Sequence, residues 1–179
     1  MFTHRLATEA DLPALRALMD DSIGQLQRGF LTEAQIAASR LVMGLDTQLI
    51  ADGTYFIVHD GGALAGCGGW SRRATLYGGD HSPGRNARLL NPATEAARVR
   101  AMYTAPAFAR RGVGRLILSL CEDAAAAEGF SRVELGGTLA GEPLYAACGY
   151  TVIERILETS GPVPVPLLRM GKNLTQMAP

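Results

Sequence analysis

A chain of 179 residues is long enough for one folded domain with a sizeable core. Lys+Arg and Asp+Glu both number 17, which excludes a global field that would recruit nucleic acid or an anionic membrane, so any anion site must be local. The composition, 47% hydrophobic and 19% charged, is that of a soluble globular protein.

Residues 2–6 read as a short first strand. Thr8-Glu9-Ala10-Asp11 then starts a helix, with Thr8 as the cap and two acids in the positive first turn. Leu12, Leu15, Leu18 and Met19 recur at helical spacing, and Pro13 is tolerated that early. Thr32-Glu33-Ala34-Gln35 is a capping box that opens a second helix, running through about Leu41. Residues 54–59 and 63–71 form two strands around the turn Asp60-Gly61-Gly62. Gly66, Gly68 and Gly69 in the second of these imply a close backbone approach or a bulge.

Residues 72–95 break every period, with Gly78-Gly79, Pro83-Gly84 and Asn91-Pro92, and read as either a binding loop or a disordered insertion. Residues 96–104 are the next strand, closed by Pro106. A helix follows from Val113 to about Glu128, stopped by Gly129. Residues 132–136 form a strand, 142–147 a short helix ending before Gly149, and 150–158 and 165–172 the last two strands, with Pro162 and Pro164 between them. The order is mixed α/β (α+β), and its hairpins require a partly antiparallel sheet.

Met1-Phe2-Thr3-His4-Arg5 lacks the apolar core of a secretory leader, and no run reaches the roughly 18 apolar residues of a membrane span. Cys67, Cys121 and Cys148 are odd in number and lack metal-ligand spacing. Reduced thiols, a cytoplasmic setting and no metal are therefore expected.

The densest chemical signal is Ala109-Arg110-Arg111-Gly112-Val113-Gly114-Arg115, a basic glycine turn between a strand and an apolar helix. Such a junction aims free N–H groups and the positive end of a helix dipole at one spot, a place for a phosphate or pyrophosphate. No Walker lysine follows it, and Ile117 stands where a dinucleotide fingerprint needs its third glycine.

What remains resembles the GCN5-related N-acetyltransferase (GNAT) superfamily, whose signature at the turn after its fourth strand is [Gln/Arg]-x-x-Gly-x-[Gly/Ala]. Gly112-Val113-Gly114 supplies the last three positions, while Ala109 departs from the first. Met102-Tyr103-Thr104-Ala105-Pro106 is similar to the family's strand-end pattern, and Pro143-Leu144-Tyr145-Ala146-Ala147-Cys148-Gly149-Tyr150 to its Phe-Tyr-x-x-x-Gly-Phe block. Ala140 stands where the family often has an asparagine.

The resemblance implies one domain over residues 1–179 with the GNAT fold: a central mixed, mostly antiparallel twisted sheet of about seven strands flanked by about four helices. It implies acetyl-CoA as co-substrate and no metal. The pyrophosphate would lie on the amides from Arg110 through Arg115, over Gly112, Val113 and Gly114, with the Arg110, Arg111 and Arg115 guanidiniums as countercharge. The pantetheine arm would pair with the strand Met102-Tyr103-Thr104, through the backbone of Met102 and Thr104. Tyr145 is the catalytic candidate, a phenol able to protonate the leaving thiolate.

The general base stays unassigned. Glu134 faces either the cleft or solvent, Glu95 reads as a surface charge, His59 as structural, and His81 as a weak substrate candidate. The acceptor site is expected around residues 24–32, 70–80 and 157–166, with Trp70 and Tyr77 as aromatic candidates. The expected acceptor is a small-molecule amine, acetylated directly in a ternary complex. A protein or peptide N-acetyltransferase and a non-catalytic acyl-CoA-binding domain are the alternatives. The family's habit of dimerising makes a homodimer a further expectation.

Overall fold

A computed structural model describes residues 1–174. The chain order is β1 (Phe2–Leu6), α1 (Leu12–Leu26), α2 (Glu33–Ser39), α3 (Thr47–Ala51), β2 (Tyr55–Asp60), β3 (Ala63–Ser71), β4 (Ala97–Thr104), α4 (Val113–Ala127), β5 (Arg132–Thr138), α5 (Glu142–Ala147), β6 (Thr151–Glu158) and β7 (Val165–Asn173). All seven strands join one sheet in the order β1-β2-β3-β4-β5-β7-β6. Only β4 and β5 run parallel; every other pair is antiparallel. This is the mixed, mostly antiparallel sheet that the resemblance implies.

Two helices cover the two faces of the sheet. In α4, Val113, Ile117, Leu118, Cys121 and Ala125 form one buried stripe that packs with Ala97, Val99, Val133 and Leu135 of the central strands. In α1, Leu15, Leu18, Met19 and Ile23 form the equivalent stripe against Tyr55, Ile57, Cys67 and Tyr103. Each stripe follows the helical period, so patterning alone directs each face inward.

The glycines of β3 let these layers close. A Cβ on Gly66 would lie 2.5 Å from Val113 Cγ1, and one on Gly68 would lie 2.6 Å from Ile117 Cγ2. The register between β3 and β4 also shifts there: Cys67 pairs with Tyr103 but Gly69 with Arg100, leaving an extra residue on β4. Ala101 absorbs that bulge at φ +49°, in the left-handed region.

Beyond the bulge the two central strands part. β4 pairs with β5 only over Ala97–Val133, Arg98–Glu134 and Val99–Leu135. From there β5 continues along β7, while the second half of β4 stays with β3. A wedge opens between them.

Two elements differ from the sequence reading. The helix α3 raises the number of α-helices among the described residues to five. With five residues it is too short to show a period, and its start is set by Asp46, whose carboxylate accepts from the Gln48 amide at 3.1 Å. The second helix stops at Ser39, short of Leu41.

The 72–95 segment has a defined path. Ala74 N donates to Arg88 O at 2.9 Å, Thr75 N to Asn86 O at 3.0 Å and Leu90 N to Arg72 O at 2.7 Å, so it runs out and back as an irregular ribbon. Arg73 binds Asp52 at 2.7 Å and Arg85 binds Asp46 at 2.8 Å, tying the ribbon to α3 and its cap. No helix among the described residues is long and apolar enough to cross a membrane.

Close approach at β3 predicts a contrast between two glycines. A Cβ at position 69 would meet the Thr54 carbonyl oxygen at 2.5 Å and Tyr55 Cα at 3.1 Å, backbone atoms with no room to yield, while Gly62 has nothing within 4 Å. Gly69→Ala should therefore cost about 1–3 kcal/mol in denaturant unfolding, and Gly62→Ala less than about 0.5 kcal/mol.

Candidate active site

The wedge between β4 and β5 deepens into a cavity of about 660 Å³, lined by the end of β4, the turn before α4, α5 and α1. Its first component is backbone. Ala105 N donates to Ala65 O at 2.9 Å, so Ala105 and Tyr103 direct their amides toward β3. By the alternation of a strand, Met102 and Thr104 direct theirs to the opposite side, where among the described residues no strand pairs with this half of β4. The Tyr103 ring lies in the cavity wall; its buried hydroxyl accepts from the Gly44 amide at 2.9 Å, and burial pushes its pKa up.

The second component is the turn. Arg110 at φ +65° and Gly112 at φ +91° fold the chain back before α4 begins. The amides of Arg110, Gly112, Val113, Gly114 and Arg115 have no acceptor among the described residues, and α4 adds its positive dipole end. Successive free amides in left-handed and helical conformation make a concave anion seat, a fit to a pyrophosphate. The Arg111 amide is outside this set, since it points to Phe108 O at 3.4 Å.

Two of the three arginines stay with the turn. Arg110 and Arg115 line the cavity and make no ion pair among the described residues. Arg111 corrects the sequence expectation. Its guanidinium binds Asp60 at 2.6 Å and lies 4.9 Å from the Phe108 ring centre, so it fastens the turn to the β2–β3 hairpin.

The third component is α5. A Cβ on Gly114 would lie 2.6 Å from Leu144 Cδ2, so this glycine lets α5 dock against the first turn of α4. The next residue, Tyr145, stacks its ring over two more glycines; a Cβ on Gly137 or Gly141 would come within 2.8 or 2.7 Å of Cε2. Its hydroxyl makes no hydrogen bond among the described residues. Burial pushes its pKa up to about 12, so the phenol keeps its proton.

The base candidates fare differently. Glu134 accepts from Arg98 at 2.7 Å and from Arg169 at 2.7 Å, neither facing the cleft nor solvated. Glu95 is held at about 2 by Arg88 and by the Asn91 amide. His81 Nε2 contacts the Arg40 carbonyl at 3.0 Å, and His59 is one rung of β2. Trp70 is 2% exposed and packs edge-on against Phe130, which removes it as an acceptor contact.

Of the expected acceptor segments, Leu26, Gln27 and Phe30 line the cavity, as do Leu76, Tyr77 and Gly78. The 157–166 stretch reaches it indirectly, through Glu158, which accepts from the Tyr77 hydroxyl at 2.7 Å. The sequence reading missed Arg100. Buried in the cavity wall, it pairs with Asp46 at 2.9 Å and donates to Gly78 O at 2.6 Å and Thr75 O at 3.2 Å, holding the ribbon over the site. Its signal in the sequence was slight: an arginine two positions after Arg98, on the same alternating face of β4. No group of three or more His, Cys, Asp or Glu among the described residues is placed to hold a metal.

Comparison with known proteins agrees with this fold. The model of the acetyltransferase (GNAT) family matches residues 17–150. No curated protein matches the sequence. Among solved structures, a GCN5-related N-acetyltransferase from Rhodopseudomonas palustris superposes with TM-score 0.69 at 18% identity, covering 96% of this chain and 95% of that one. YncA from Salmonella typhimurium, solved with acetyl-CoA, gives 0.63 at 18% identity over 100% and 97%. A ribosomal-protein-alanine N-acetyltransferase from Brucella melitensis gives 0.62 at 20% identity over 96% and 99%.

Glu134 offers a direct check on the site. Glu134→Gln leaves Arg98 and Arg169 without their shared partner, and should lower stability by about 1–3 kcal/mol, between the surface and buried limits. Turnover per folded molecule should stay within about twofold, since a residue held by two arginines is no proton acceptor; a base would lose about 100-fold.

Proposed function

Because the chain belongs to the GNAT acetyltransferase family, we propose that it moves an acetyl group from acetyl-CoA to the primary amine of a small molecule, by direct attack in a ternary complex. One observation carries this reading: the unpaired edge of β4, the free amides of the turn and the Tyr145 hydroxyl all meet in one cavity. When bound there, acetyl-CoA supplies an activated thioester.

The chain's own groups would then divide the work. Met102 and Thr104 hold the pantetheine amides as a strand neighbour would. The amides of Arg110 and of Gly112 through Arg115 seat the pyrophosphate, with the Arg110 and Arg115 guanidiniums as countercharge. Tyr145 gives its proton to the departing thiolate, a role that its raised pKa keeps available at neutral pH. Holding amine and thioester together supplies the rest of the acceleration.

Direct transfer is favoured because no Cys, His, Asp or Glu is among the described residues lining the cavity. Cys67 and Cys121 lie in the core, where burial pushes both thiols up. A small acceptor is favoured over a protein because the 72–95 ribbon, anchored by Arg85 and Arg100 on Asp46, roofs the acceptor wall.

Incubation with acetyl-CoA alone should leave the protein mass unchanged; a stable gain of one acetyl group would sink the direct route. Tyr145→Phe should lower kcat by about 100-fold while the Kd for CoA stays within about twofold. With the phenol held near 12, no alkaline loss assignable to Tyr145 should begin below about pH 11. Arg115→Ala should weaken CoA by about fivefold, and Arg111→Ala, whose guanidinium faces Asp60, should leave the Kd nearly unchanged.

A further inference from the structure

The bulge that opens the wedge is itself held from behind. Ala101 sits at φ +49°, where its Cβ crowds the backbone, so contacts outside its own strand must keep it there. One such contact comes from two strands away. Tyr55, the first residue of β2 and 1% exposed, donates its hydroxyl proton to Ala101 O at 2.7 Å.

Glycine makes that reach possible. Tyr55 pairs with Gly69, and Gly69 pairs with Arg100, so the tyrosine ring must cross β3 to touch β4. It crosses at the glycine, where a Cβ would lie 2.8 Å from Tyr55 Cδ2. The neighbouring Gly68 makes room for the bulged strand itself, since a Cβ there would lie 2.7 Å from Met102 Cγ. Two adjacent glycines thus serve one bulge, and the tyrosine closes it. Burial pushes the Tyr55 phenol well up, so the hydroxyl keeps its proton and remains a donor.

The consequence falls on one amide. A trans peptide points its carbonyl and its N–H in opposite directions. Fixing Ala101 O on Tyr55 therefore turns the Met102 N–H, which belongs to the same peptide unit, the other way. Ala101 and Met102 are among the residues that line the cavity, and Tyr55 is not. The clamp lies behind the wall and the amide in front of it.

We infer that Tyr55 is a positioning residue for the co-substrate: through Ala101 O it fixes the bulge and so presents the Met102 amide to the pantetheine arm. This rests on the acetyl-CoA reading above and adds to it a residue that touches no ligand. The Tyr55 ring packs in the apolar cluster under α1, so its hydroxyl can be removed without emptying the core.

Calorimetry on the full chain, with CoA and with 3′-phospho-ADP as ligands, tests the inference. The second ligand is CoA without its pantetheine arm, so it uses the turn and not the edge of β4. Tyr55→Phe should weaken CoA by about tenfold, the worth of about one or two hydrogen bonds, and leave the 3′-phospho-ADP Kd within about twofold. A merely structural loss would move both ligands alike, and a Kd is set by the folded molecules alone. Tyr55→4-aminophenylalanine restores a donor at the same place and should bind CoA within about threefold of the unsubstituted chain.

An equal fall for both ligands, an unchanged CoA Kd in Tyr55→Phe, or the same loss with 4-aminophenylalanine overturns the inference and leaves the co-substrate reading standing. Failure of the unsubstituted chain to bind either ligand defeats that reading, and the inference with it.

Discussion

Everything in the site follows from the short pairing of β4 with β5. The two strands share only Ala97–Val99 with Val133–Leu135, and the bulge at Ala101 then carries β4 away. A row of backbone groups at Met102 and Thr104 is thereby left without a strand partner in the middle of a sheet. An unpaired edge normally invites aggregation, yet here it lies inside a cavity flanked by α1 and α4. Both helices are held by apolar clusters on opposite faces, so the wedge is braced open from either side. The glycines of β3 are part of the same device, since α4 reaches the sheet only where Gly66 and Gly68 carry no Cβ.

A second constraint is how a chain of zero net charge makes a positive cavity. Its carboxylates near the site are consumed in the walls. Glu134 is held by Arg98 and Arg169, Asp46 by Arg85 and Arg100, and Asp60 by Arg111. Each pairing also does mechanical work: one joins β4, β5 and β7, one holds the ribbon, and one fastens the turn. Among the described residues Arg110 and Arg115 make no ion pair, and they stand at the α4 turn beside its free amides. The anion seat is therefore local, built by where the acids are spent rather than by an excess of bases.

The parts legible in the sequence were those written in local chemistry. The α4 stripe from Val113 to Ala125 has a clean helical period, the turn before it carries glycines at fixed offsets, and the strand–turn–helix order needs no distant partner. Tyr145 was reached through its block's resemblance to the family's Phe-Tyr-x-x-x-Gly-Phe pattern rather than through local chemistry, and its ring packs on Gly137 and Gly141, residues of the same neighbourhood. What escaped was tertiary. Arg111 looks like its neighbour Arg110 until Asp60, 51 positions away, is brought beside it. Glu134 alternates like a cleft or surface residue, but its two arginines come from different strands. The 72–95 ribbon has no period because ion pairs to Asp46 and Asp52, not side-chain alternation, fix its path.

We propose that the family's co-substrate is held chiefly by backbone groups along the open edge of β4 and the α4 turn. Backbone amide resonances followed while CoA is titrated into the protein test it most directly. The largest shifts should fall on Met102, Thr104, Arg110 and Gly112 through Arg115, with Arg111 moving less than its neighbours. Shifts concentrated instead around Asp46, Arg73 and Arg85, where a smaller cavity of about 120 Å³ lies behind the ribbon, would contradict it.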